Sequence, residues 1–84
     1  MIVDHEAEPV PPRTLAEAHH ALANIRPRLD ASPQQWLAYH QRSAALYAEI
    51  AEIDRGHHHE ALAFADRERK NAQRIKDQAG TQES

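Results

Sequence analysis

The chain has no cysteine, only two glycines, one phenylalanine and one tryptophan among its 84 residues. Without thiols, disulfide frameworks and thiolate metal sites are excluded. Two isolated glycines cannot make a glycine-rich phosphate loop, and few residues other than isoleucine are β-branched, which argues against a sheet. No apolar run approaches the roughly 20 residues of a membrane-spanning helix. The opening Met1-Ile2-Val3-Asp4 lacks the basic-then-apolar order of a secretory signal, so the expected setting is cytoplasmic.

What the chain does have is alanine, sixteen residues of it, against six leucines and five isoleucines. Alanine is the best helix former and lets helices approach closely, but each one buries little. Eighty-four residues make one small domain at most, and such domains are marginal unless well idealised or oligomeric. The expected fold class is therefore all-α: a small three-helix domain built on an antiparallel helical hairpin. Net charge is −3 with histidine neutral, which gives no strong pull toward nucleic acid.

Residues 1–12, with Pro9, Pro11 and Pro12, read as a disordered arm, because proline removes backbone donors and restricts the residue before it. The helical domain spans 13–79. Thr14 and Glu17 have the spacing of a capping box. Leu15, Ala18, Leu22, Ile25 and Leu29 then recur every three or four residues until Pro27 closes the helix near Arg26, which leaves Leu29 to the loop. Ser32-Pro33-Gln34-Gln35 is a second capping box with proline at the first helical position, opening a helix expected over Pro33 to Ile53. Its apolar residues wrap around more than one stripe, as in a helix with neighbours on two sides. Gly56 is expected to close it in a left-handed conformation, with Asp54 and Arg55 in the turn. A single helix from Pro33 to Gln78 is the competing arrangement, since one glycine costs a helix only about 1 kcal/mol. A third helix, about His57 to Gln78, places Asp66 and Lys70 for an ion pair. Residues 80–84 read as a disordered polar tail.

The run YHQRSAALYAEIAEIDRGHHHEA, about a quarter of the chain, resembles a family of short actinobacterial helical proteins of unassigned function. The resemblance implies a small stand-alone bacterial protein and brings no activity, substrate or site residues with it. GHHHEALAFADRER is more distantly similar to part of a tetratricopeptide unit, with Gly56 and Ala61 in its glycine and alanine places. Ala65 and Glu68 depart from that pattern and no closing proline follows. What this similarity implies is hairpin geometry and peptide binding.

Seven histidines, three of them adjacent at His57, His58 and His59, are the chemical oddity. Successive helical residues point about 100° apart, so the three cannot all ligate one ion from a regular helix. Two of them with His40 or Glu60 make a third-ranked metal reading. The preferred one is a polar turn in which one histidine packs on Tyr47 or Trp36. Asp54, His57 and Glu60 have acid-base chemistry, but no nucleophile lies near them in sequence and an enzyme is not expected. Basic residues from Arg67 to Lys76 on a helix that follows a short turn suggest a DNA-binding regulator, but acids interleaved with them favour a solvated face and leave that reading the runner-up. The leading expectation is a protein–protein interaction module, either a homodimer or an accessory partner. It would bind through Trp36, Tyr39, Tyr47 and Phe64, without cofactor or membrane, since exposed aromatics mark partner sites.

Overall fold

The computed structural model describes residues 10–83. They form three α-helices: α1, Leu15–Asn24; α2, Pro33–Ile53; and α3, His58–Glu83. Among the described residues there is no strand. The expected all-α, three-helix architecture is what is found, and the single long helix is not. Of the arm expected over 1–12, residues 1–9 lie outside the described residues, and 10–12 carry no regular structure.

Local chemistry explains most helix ends. Ser32 Oγ accepts the Gln35 N–H at 3.2 Å while Gln35 Oε1 accepts the Ser32 N–H at 2.9 Å, so the expected capping box opens α2. At α1 only half the box forms: Thr14 Oγ1 accepts the Glu17 N–H, but Glu17 reaches Arg13 N–H instead. Helix α1 stops at Asn24, two residues short of the expected Arg26, with the Ile25 N–H turned back to Leu22 O. Ile25 and Leu29 accordingly leave the apolar stripe, and Leu29 is 92% exposed.

The break between α2 and α3 corrects one expectation. Gly56 sits inside a tight 3₁₀ turn, Arg55–His57, and not in a left-handed cap. Asp54 ends α2 instead, its own N–H still donating to Ile50 O at 2.8 Å while its carbonyl accepts from His57 N–H. Helix α3 then continues through Gly80 to Glu83, past the expected end at Gln78; Ser84 lies outside the described residues. The expected Asp66–Lys70 pair forms at 3.0 Å.

The hairpin is antiparallel and in steady register: Ala51 meets His58, Tyr47 meets Phe64, and His40 meets Glu68. Helix α1 lies along its turn end. Three polar contacts from α2 hold it there: Asp54 to Leu15 N–H, Tyr47 to His19, and Tyr39 to Leu22 O. The core beneath consists of Leu15, Leu22, Tyr47 and Ile50, closed by buried alanines. Among the described residues, six of the ten buried apolar ones are alanine, so α2 and α3 pack closely at the cost of buried area.

Candidate functional site

The thin core leaves the larger side chains near the surface. Tyr47 is buried, whereas Trp36, Tyr39 and Phe64 are half-buried. These four residues do not form one patch. Tyr47 and Phe64 stack at 5.2 Å under α1, with the His19 ring edge-on to both, at 5.4 Å and 4.8 Å. Burial, with the Glu68 and Tyr39 charges behind it, raises the Tyr47 hydroxyl above its ordinary pKa. That group belongs to the core.

The second group lies at the C-terminal end of α1, where the Tyr39 hydroxyl bonds Leu22 O. Trp36, Tyr39 and His40 touch one another, with ring centroids 5.6–5.7 Å apart. The Arg26 guanidinium lies 5.5 Å over the Trp36 ring, a cation–π contact from the loop that follows α1. His40 Nδ1–H donates to Glu68 Oε1 at 2.5 Å, with both side chains 17% exposed. Beside them, Ala31, Pro33, Trp36, Ile75, Gln78 and Ala79 enclose a hollow of about 240 Å³. Helix α1 would cover this end of the hairpin were it longer; because it stops at Asn24, Trp36 forms the wall of an open apolar step.

The histidine run closes the hairpin. His57 Nδ1–H donates to Asp54 Oδ2 at 2.9 Å, and His58 Nδ1–H donates to the Ala51 carbonyl at 2.7 Å. The latter satisfies a carbonyl that the end of α2 leaves without a helical donor. The His59 ring lies edge-on to that of His58, centroids 5.3 Å apart. His40 is some fourteen residues up α2 from this turn, roughly 20 Å away, so the structure does not assemble it with His57–His59. Among the described residues no three histidine or acidic side chains converge as a metal site would require. The histidines that pack on Tyr47 and Trp36 are His19 and His40, not members of the run.

Asp54, singled out above beside His57, also accepts the Leu15 N–H on the same oxygen, and these bonds, the Leu15 one foremost, lower the pKa of its carboxyl. The basic stretch of α3 is partly spent internally: Lys70 pairs with Asp66, Arg74 bonds Asn71, and Arg67 lies over Phe64. Sequence reading missed His19, Glu68 and the Asp54 tie to α1. No helix in the described residues is long and apolar enough to cross a membrane. No protein-family model, curated protein or solved structure matches this chain.

Proposed function

We propose that the protein is a protein–protein interaction module, a small homodimer or an accessory partner of another protein, that acts by contact and not by chemistry. One observation carries this reading: six of the ten buried apolar residues among those described are alanine, and several large side chains are left only partly covered. Trp36, Tyr39 and Ile75 are half-buried, and Ile25, Ile53 and Leu62 are 38–45% exposed. In an 84-residue chain so poor in large apolar residues, that distribution suits a surface that another protein covers. The Trp36 hollow is its centre, since tryptophan and tyrosine dominate the energetics of such contacts. The test is paired affinity capture with the wild-type chain and Trp36→Ala, each verified as helical. Proteins retained by the wild type and lost with the variant support the reading, and identical retention overturns it.

A further inference from the structure

A second surface lies on the opposite flank of α2. There Val10, Ala21, Leu22, Ile25, Ala45 and Leu46 line an open cleft of about 640 Å³ between α1 and α2. Its lining is apolar apart from Asn24 and two charged residues of α2, Arg42 and Glu49. Both are exposed, and among the described residues neither makes an ion pair or hydrogen bond. They stand seven residues apart, two helical turns, with Ala45 and Leu46 midway between them. Ile53, 38% exposed, continues the same stripe toward the turn.

This arrangement is self-complementary. When α2 of a second copy lies antiparallel across the cleft, a twofold axis passes between Ala45 and Leu46. Arg42 of each copy then faces Glu49 of the other, twice, and Ile53 faces Ala38. An isologous contact needs such a pattern, in which residue i meets j and j meets i. Ala45 permits close approach of the helices, and Leu46 with Ile25 supplies apolar area. The two ion pairs fix register and direction more than strength. We infer that the protein forms a twofold dimer through α2, with Arg42 and Glu49 pairing across it. This deepens the interaction reading and rests on it for the view that exposed apolar surface here is there to be covered. It uses a surface separate from the Trp36 hollow.

The competing occupant is residues 1–9 of this same chain, which precede the cleft-lining Val10 in sequence; one arm of the test addresses them. Sedimentation velocity at low salt would compare the wild type with Arg42→Glu, Glu49→Arg and the double exchange, all full length. The expected result is a wild-type dimer at about 50 µM, weakened about tenfold or more by either single exchange and restored by the double. Arg42→Gln, which removes the charge without reversing it, should weaken the dimer less and keeps the test open if an exchange disturbs the helix. A monomeric wild type, or a dimer indifferent to both exchanges, overturns the inference. So does a wild-type monomer that dimerises once Ile2→Asp and Val3→Asp are introduced, since the cleft would then be filled from within. A monomer that still retains other proteins through Trp36 overturns this inference alone and leaves the interaction reading standing.

Discussion

Asp54 accepts the backbone N–H of Leu15 at 2.9 Å, so the residue that ends α2 also receives the first turn of α1. The two are 39 positions apart. The same carboxyl oxygen accepts from His57, which makes one side chain the junction of α1, α2 and the turn into α3.

This junction has an acid signature. The Leu15 N–H, and after it His57, lower the Asp54 pKa. A depressed carboxyl contributes stability that is present above its unfolded value, about 3.9, and lost as pH falls through the folded value. Thermal melting of the wild type should therefore decline below about pH 4. Asp54→Asn should melt lower at neutral pH and show a shallower acid decline. An unchanged acid limb would remove Asp54 from the junction.

Gly56 should be replaceable. Its backbone is not left-handed, and a Cβ there would meet nothing closer than Asp54 Oδ1 at 4.0 Å. Gly56→Ala is expected to stabilise the protein by about 0.4–1 kcal/mol by restricting the unfolded chain. Urea unfolding reads this directly, and a clear loss of stability would mean that the turn needs glycine.

Tyr47→Phe keeps the stacked ring and removes the bond to His19, 2.7 Å long. The expected cost at neutral pH is about 1 kcal/mol. The raised hydroxyl pKa adds an alkaline effect. A group whose folded pKa lies above its unfolded value, here about 10, contributes stability that is full below that value and is lost as pH rises through the folded one. The wild type should lose stability above about pH 10, and Tyr47→Phe should lose less, as followed by circular dichroism.

His40 and Glu68 join α2 to α3 near the open end. Glu68→Ala should cost about 1–3 kcal/mol, because His40 is left with a half-buried N–H and no acceptor. In a double-mutant cycle, His40→Ala should cost little once Glu68 is gone. Additive losses would mean that the contact contributes nothing as a pair.

The uneven legibility of this chain has physical causes. Ser32, Pro33 and Gln35 specify the start of α2 because capping is local: donor, acceptor and proline lie within four residues. Gly56 misled because glycine is compatible with several turns, and here Asp54 and the two histidines after it supply the bonds that a left-handed cap would have made. Once the turn is centred on Asp54, antiparallel register places His40 opposite Glu68, so that pair was within reach of sequence reasoning. The docking of α1 was not. Leu15, Ala18 and Leu22 announce a buried face, but periodicity does not say that His19 meets Tyr47 or that Leu15 meets Asp54. The aromatic residues were recognised as a group, yet the position of α1 divides them: Tyr47 and Phe64 lie under it with His19, Tyr39 bonds its last turn, and Trp36 stands past its end.

Whether Trp36 serves contact or folding is decided by one paired measurement. Trp36→Ala and Ile50→Ala would be compared by thermal melting and by capture from the native host. Ile50 is fully buried, so its truncation should cost about 2–5 kcal/mol and unfold much of this small domain. Trp36→Ala should stay helical, melt close to the wild type and lose the proteins that the wild type retains. A Trp36→Ala chain that unfolds as Ile50→Ala does, or one that folds and retains every wild-type partner, would contradict the account.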